Sequence, residues 1–503
     1  MISAADYQTL DGIGLAQALR SGALGHEELL QAMLGEIERL NPRLNVVYRS
    51  MPELARQMLP AARNADGALA GLPILLKDLL ADVAGYPTAS GSRLLAQWTP
   101  QQDAEIVRRY RQAGLIFLGK TTTPEFGVLP VTESALSGVS CNPWDVKRTC
   151  GGSSGGAAAA VAARIVPIAH GGDGGGSIRI PASNCGVFGL KPGRGSSPCG
   201  PLFAEFWQGL VEQHVLTRSV RDSAAMLDIM LDGADWGDAH VRMAPPQPFL
   251  QQIEHKLPRL RIACSLTPPM GGAPCPEVVA AHQHSINLLR SLGHEVELAS
   301  PPLDSADELC RVMLVVVCAE LANLWRSAPQ LLGRTIDWRE VEAGNLVLAR
   351  MGEKMSAGEL AWARSTALRQ TRILQTFFQR YDLLLTPVTN QLPALHGALS
   401  TSKHEDALAQ FLLGRLGWSV MLRLPAMRNM VAQNLGRVMH YLGWTIPFNM
   451  SGHPAMSVPL YWTEQGLPLG THVVAPMGQE GRLLQLAHEL ELAQPWAQRR
   501  PQT

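Results

Sequence analysis

The sequence has no surplus of charge. Its 43 Lys and Arg offset 43 Asp and Glu, for a formal net charge of zero. A general nucleic-acid binder needs a basic excess to neutralise phosphates, so the balance argues against that class and no nucleic-acid partner is expected, although a local basic patch is compatible with it. Charged residues are scarce, 17% of 503, below the ~25% of ordinary proteins, which fits a large core. Long apolar runs are also missing. The longest, residues 157–163 and 312–319, fall far short of the ~20 residues of a membrane span. Residues 1–6 lack the basic and apolar parts of a signal peptide. The eight cysteines contain no C-x-x-C pair, which argues against zinc ribbons and redox couples and for free thiols in a reducing, cytoplasmic setting. The 14 histidines form no HExxH or similar cluster, so neither a metal nor another cofactor is expected. Gly and Pro, 47 and 35 residues, stay well below the ~25–30% of low-complexity chains.

What is present reads as alternating helices and strands. An apolar stripe at helical spacing runs through Leu24, Leu29, Leu30, Met33, Leu34, Ile37 and Leu40. A further helix is expected over 53–59, closed by Pro60. Buried strands are expected at 71–76, 115–118 and 165–169, with helices at 103–113 and 157–164. Beyond residue 200 the texture turns helical, at 219–231, 276–292, 304–325, 357–378 and 406–441, with short strands at 260–263, 295–298 and 383–385. Sheet and helix return at 455–459, 470–474 and 480–492. No repeat and no linker divides the chain. Length alone, at ~150 residues per domain, suggests three domains. The pattern favours one α/β domain, with a mixed central sheet covered by helices on both faces and an extra helical layer. Within it, 1–65 forms an N-terminal helical segment, 66–200 the core, 201–445 a helix-rich region of the same domain, and 446–503 a return to the sheet.

Two glycine–serine clusters carry the chemistry. The first is Gly151-Gly152-Ser153-Ser154-Gly155-Gly156; the second runs Gly171-Gly172-Asp173-Gly174-Gly175-Gly176-Ser177-Ile178-Arg179. Glycine lets backbone approach a ligand closely, and successive amides form anion-binding nests. A serine ending such a turn can attack a carbonyl while the amides hold the oxyanion. Three other readings fit less well. A flexible linker would not be flanked by apolar runs. A phosphate loop needs G-x-x-x-x-G-K-[ST] or G-x-G-x-x-G. Gly151–Gly155 matches the G-x-S-x-G nucleophile elbow, but the polar stretch before it, with Pro143, makes a poor central strand.

The order and spacing of these clusters resemble the amidase signature family. Ser153 lies 24 residues before Ser177, and Gly71-Leu72-Pro73-Ile74-Leu75-Leu76-Lys77-Asp78 places a lysine 76 residues before Ser153. Gly119-Lys120-Thr121-Thr122-Thr123-Pro124-Glu125-Phe126-Gly127, Asn142-Pro143-Trp144-Asp145, Gly186-Val187-Phe188-Gly189-Leu190-Lys191-Pro192 and the late stretch from Asn449 to Pro459 extend the match. Cys150 departs from it, standing where many members have Pro. The resemblance implies amide hydrolysis through an acyl-enzyme. Ser177 would be the nucleophile, Ser153, with a cis peptide bond, the proton relay, and Lys77 the neutral base. The amides of Gly174, Gly175, Gly176 and Ser177 would form the oxyanion hole. Ser154 would orient Lys77 or Ser153. Asp173 and Arg179 would support the loop or form an ordinary structural ion pair.

The substrate is less legible. Cys318 sits where enzymes cleaving the cyclic dimer of 6-aminohexanoate carry a cysteine, which makes it a candidate pocket contact; packing in a buried helix is the plainer alternative. His170, before the second cluster, reads as a loop-orienting histidine rather than a base. Residues 417–444, with Arg423, Arg428 and Arg437, could pack on the core, line an apolar channel, meet a membrane surface or form a homodimer contact. The resulting expectation is a cytoplasmic serine amidase acting on small apolar linear or cyclic amides. Anilide and carbamate hydrolysis, or service as the glutaminase subunit of a tRNA amidotransferase, are the alternatives.

Overall fold

The computed structural model describes residues 7–400 and 425–502; the side chains of 425–432 are not described. Its centre is an eleven-stranded mixed sheet. In chain order the sheet strands are β1 (Val47–Ser50), β2 (Pro73–Lys77), β3 (Ile116–Thr121), β8 (Ile168–Asp173), β9 (Phe188–Lys191), β10 (Glu212–Thr217), β11 (Arg261–Cys264), β12 (Glu295–Leu298), β13 (Leu383–Pro387), β14 (Ala455–Trp462) and β15 (Pro468–Val474). Strands β4 (Glu133–Ser134), β5 (Gly138–Val139), β6 (Cys141–Asn142) and β7 (Asp145–Thr149) form two small ribbons outside it. Spatial order is β1-β3-β2-β8-β10-β9-β14-β15-β13-β11-β12. β2 is parallel to both β3 and β8, whereas β10, β9, β14 and β15 continue antiparallel. Every residue of β2, β3, β8, β9, β10, β13 and β15 is buried. That double-sided burial explains why β2 and β13 read as near-continuous apolar runs rather than alternating ones.

Helices cover both faces, and their starts follow capping chemistry. Ser219, Ser305 and Ser356 each accept a backbone N–H three residues on, and Ser356 with Glu359 forms a reciprocal box. The N-terminal helix Gly12–Arg20 is tied to the helix Val220–Met230 by buried Asp222, which accepts the amides of Gly12 and Ile13 at 2.7 and 2.9 Å.

Several expectations need correction. Pro60 does not close its helix, which runs Pro52–Arg63. Pro60 and Arg56, whose carbonyl loses its partner, are both exposed, so the missing bond faces water. The helix expected to end at 325 continues to Leu332. Three strands of the central sheet escaped periodicity. β1 is a short edge strand. β9 contains Gly189. β10, Glu-Gln-His-Val-Leu-Thr, is polar by composition yet wholly buried. The first part of the helix expected at 406–441 lies outside the described residues; a helix spans Pro425–Leu442.

A second apolar cluster sits over the C-terminal ends of β2 and β8. It packs the helices Ala306–Leu332, Ala343–Gly352 and Ala357–Phe377 through Leu309, Val312, Val316, Leu346 and Ala363. The two glycine–serine clusters lie beneath this helical roof.

Candidate active site

β2 and β8 run parallel as neighbours, so their C-terminal ends deliver Lys77 and Asp173 to the same edge of the sheet. Ligand sites in such sheets form just beyond the carboxyl ends of strands. Lys77 is buried, and its Nζ donates to Ser153 Oγ at 2.7 Å and to the Gly172 carbonyl at 3.3 Å. Burial disfavours the ammonium and draws the Lys77 pKa from 10.5 down to about 7; nearby Asp173 opposes the shift. Ser153 lies at the turn before the helix Gly155–Ala162, and the Gly152–Ser153 peptide bond is cis.

Asp173 shapes the second cluster. Its carboxylate accepts the amides of Gly176 at 2.7 Å, Ile178 at 3.1 Å and Arg179 at 3.3 Å. Arg179 grips the same carboxylate with Nε and Nη2, both at 2.9 Å, and neither side chain is exposed. The guanidinium outweighs the burial penalty and holds the Asp173 pKa far below the carboxylate range. Asn449 Nδ2 donates to Asp173 Oδ1 and to its carbonyl, while Asn449 Oδ1 accepts from Arg179 Nη2 at 2.7 Å. Arg179 Nη1 reaches the Thr445 carbonyl at 3.0 Å and His472 Nε2 at 3.1 Å. A guanidinium can only donate, so Nε2 of His472 is the acceptor and Nδ1 carries the proton toward Thr386 Oγ1 at 2.8 Å. Asp173 and Arg179 thus form a buried ion pair whose job is to template the loop. Gly176 adopts φ +126, and a Cβ there would lie 2.4 Å from Thr445 Oγ1, so no other residue fits that turn.

This template leaves the amides of Gly174, Gly175 and Ser177 without a hydrogen bond among the described residues. Gly176, expected as an oxyanion donor, is different: its N–H is directed into Asp173 rather than toward a ligand. Ser154 also departs from expectation. Its hydroxyl bonds the Gly172 carbonyl and amide, both at 3.2 Å, and its own amide donates to the Ser177 carbonyl. It reaches Lys77 only through the Gly172 carbonyl that the two share.

Lys77, Ser153 and Ser177 face a single cavity of about 270 Å³. Its walls are mostly apolar, from Leu79, Phe126, Trp207, Met313, Val317 and Ile446 among others. This is the usual form of a small-molecule site, an apolar cleft with a few convergent polar groups. Cys318 does not line it. Met313, Leu314 and Val317 point into the cavity, and the ~100° turn per residue carries Cys318 past that arc. The residue is fully buried where the helix Ala306–Leu332 crosses Ala343–Gly352. A Cβ on Gly352 would lie 1.9 Å from the Cys318 carbonyl oxygen, so the backbones touch there. Burial pushes the thiol pKa up to about 12, which makes it a packing group. His170 is also absent from the cavity wall. It is wholly buried edge-on to Tyr110, with a pKa drawn down to about 3 by burial and by the Lys77 charge.

Sequence reasoning missed Glu125, although its motif had been noticed. Glu125 is buried, with its pKa raised to about 8 by burial and by Glu342. It accepts Ser92 Oγ at 2.6 Å, the Glu342 amide at 2.9 Å and Asn345 Nδ2 at 2.8 Å. Lys120 of the same motif is buried too, and its Nζ donates to the Ala81 carbonyl and to Thr88 Oγ1.

The family pattern described as Amidase matches residues 28–484. The chain belongs to the amidase family. Among relatives of this amidase, the 6-aminohexanoate-cyclic-dimer hydrolase of a Pseudomonas species is 34% identical over 499 residues, covering 98% of this chain and 96% of that protein. The enzyme of the same name from Paenarthrobacter ureafaciens matches at the same identity and coverage. A solved structure of 6-aminohexanoate cyclic dimer hydrolase complexed with substrate superposes with a TM-score of 0.87 at 32% identity, over 98% of this chain and 99% of that one. A bacterial aryl acylamidase of the amidase signature family shares the fold, with a TM-score of 0.83 at 23% identity. Amidases of this family hydrolyse amide bonds. No described helix is long and apolar enough to cross a membrane, and no described group of His, Cys, Asp or Glu has the form of a metal site.

Proposed function

We propose that this amidase cleaves carboxylic amides of small apolar compounds, linear or cyclic, through an acyl-enzyme on Ser177, and that oligomers of 6-aminohexanoate are its first candidate substrates. The observation that carries the mechanism is the buried Lys77, 2.7 Å from Ser153 Oγ, beneath the cavity that Ser177 shares. An amide is a weak electrophile with a poor leaving group, so hydrolysis needs an activated nucleophile, a stabilised oxyanion and a proton for nitrogen. In this reading Ser177 Oγ attacks the carbonyl carbon, and its proton passes to Ser153 Oγ as Ser153 gives its own to neutral Lys77. The oxyanion is held by the amides of Gly174, Gly175 and Ser177. The C–N bond then breaks as Lys77, through Ser153, returns the proton to the leaving nitrogen. Water repeats the cycle on the ester. The substrate class rests on the apolar cavity and on full-length similarity to enzymes named for the 6-aminohexanoate cyclic dimer. A cytoplasmic setting is supported by eight unpaired cysteines.

The test is a hydrolysis panel with purified enzyme: the cyclic dimer, linear 6-aminohexanoate oligomers, anilides, carbamates and glutamine. Turnover of the cyclic or linear apolar amides, with an acyl mass addition on Ser177, is the expected result. Exclusive use of glutamine, or turnover without acylation of Ser177, would refute the proposal.

A further inference from the structure

A strained turn builds the cavity wall beside the glycine loop. Trp207, Gln208 and Gly209 adopt φ +47, +56 and +77 in succession. Glycine enters this left-handed region freely, but a residue with a side chain is strained there, and a bulky one is a rare occupant. Such strain persists only where the surroundings over-determine it, and it concentrates at functional sites. Here three anchors fix the turn. Arg194 Nε donates to the Gly209 carbonyl at 2.7 Å, and Asn449 Nδ2 to the Leu210 carbonyl at 3.1 Å. Gln208 Nε2 donates at 2.8 Å to Glu320 Oε1, on the roof helix Ala306–Leu332. Asn449 also holds Asp173, so one side chain sets the Trp207 turn and the glycine turn relative to each other.

What this turn presents to the cavity is the indole of Trp207. A Cβ on Gly174 would lie 3.3 Å from Trp207 Cε3, 3.5 Å from its Cζ3 and 2.8 Å from Val211 Cγ2, so the six-membered ring packs on Gly174 itself. Beside it, a Cβ on Gly175 would lie 3.3 Å from Met313 Cε and 3.6 Å from Ile446 Cγ1. A carbonyl oxygen seated on the amides of Gly174, Gly175 and Ser177 therefore brings the two groups bonded to its carbon into a slot with the indole as a neighbour. Met313 is unbranched and flexible, and yields to a larger group. A ring on a triply anchored turn does not.

Resting on the amidase reading above, we propose that Trp207 is a specificity-determining residue: its indole limits branching at the atom bonded to the scissile carbonyl carbon. Gln208 is the positioning residue that holds the ring in place through Glu320. The preferred class is then amides of unbranched chains, such as a run of methylenes beside the carbonyl, rather than amides substituted at that atom.

The experiment measures kcat/KM for three para-nitroanilides: hexanoyl, 2-methylhexanoyl, which branches the acyl side, and the N-methyl anilide of hexanoic acid, which branches the nitrogen side. Each branched substrate is read as its ratio to the hexanoyl anilide, and comparing that ratio between enzymes cancels the intrinsic reactivity of the compounds. Trp207→Gly suits the φ of its position and removes the ring. It should raise the ratio of at least one branched substrate about tenfold or more, and the substrate that gains shows which side of the carbonyl the indole meets. Gln208→Gly also suits its φ, keeps the ring and cuts the tie to Glu320; it should give a smaller rise for the same substrate. If a thermal melt shows that Trp207→Gly does not fold, Trp207→Phe takes its place, and its smaller ring should move the ratio in the same direction. Ratios unchanged from wild type in the folded Trp207 variant would overturn the specificity role. A rise there with none in Gln208→Gly would overturn the positioning role of Gln208. The hexanoyl anilide tests the reading beneath. If it acylates Ser177 while the ratios stay flat, only the Trp207 assignment fails. If it leaves Ser177 unmodified, the amidase mechanism fails with it.

Discussion

Replacing Lys77 by Met should abolish amide hydrolysis and, at neutral pH, make the protein more stable. Lys77 is wholly buried, and its pKa falls from 10.5 unfolded to about 7 folded. The sign follows from proton binding. Between those two values the unfolded chain holds a proton that the folded chain has lost, so stability rises with pH across that window. The penalty is fully present below the folded value and disappears as pH climbs through the unfolded one. From these two values it amounts to ~4 kcal/mol at about pH 7 and ~1 kcal/mol at about pH 9.5. A methionine of similar length carries no such penalty, although it leaves Ser153 Oγ without its partner at a cost of ~1–3 kcal/mol. The net gain of Lys77→Met at about pH 7 should be ~1–3 kcal/mol, and it should shrink by ~3 kcal/mol on going to about pH 9.5. For a chain this long each kcal/mol moves Tm by ~1 °C. The assay is a paired thermal melt of the two proteins over that pH range. Other buried groups titrate there as well, among them Asp78 and Asp222 near 7 and Glu125 near 8, but they are common to both proteins and cancel in the difference. The same lysine sets the acid limb of activity: kcat/KM should decline as pH drops through about 7 and Lys77 takes up a proton. A variant less stable than wild type at neutral pH, or a Tm difference that does not change with pH, would refute the neutral buried lysine and the base assigned to it.

Ser177→Ala and Ser153→Ala should each lower kcat by ~10⁴-fold or more, and the double variant should be little worse than either, since the groups act as a unit; single-turnover kinetics on an activated ester check this. Asp173→Asn breaks the two-pronged pair with Arg179 in a site with no solvent, and should cost ~3–5 kcal/mol and the acylation burst together, measured by denaturant unfolding and stopped flow. Gly352→Ala should force apart the helices that cross at Cys318, because the new methyl meets a backbone oxygen; a loss of ~1–3 kcal/mol is expected, read as a lower Tm. Cys318→Ala, by contrast, should lower Tm slightly and leave the ratio of kcat/KM for a cyclic against a linear amide unchanged. A shifted ratio would return Cys318 to the pocket.

Much of this amidase was legible along the chain, because the proposed reacting groups sit in contiguous stretches whose composition reflects local backbone demands. A lysine after an apolar strand, a serine opening a helix after paired glycines, and a serine closing a glycine turn each carry their geometry within a few residues. Apolar periodicity located most helices for the same local reason. What only the tertiary structure decided depends on neighbours far apart in sequence. The buried strand Glu212–Thr217 looks polar until β8 and β9 flank it. Asn449 and His472 become supports of the loop at Asp173 only because β9, β14 and β15 bring the C-terminal segment against it. Which amides of the glycine turn point outward was set by the Asp173 carboxylate, not by glycine content, and this is why Gly176 turned inward. Cys318 faced the roof packing rather than the cavity because a helix presents only part of its circumference to a ligand, and the approach of Gly352 chose that part. Spacing in sequence measures distance along the chain. The direction in which a side chain points depends on which helix or strand has packed against its own.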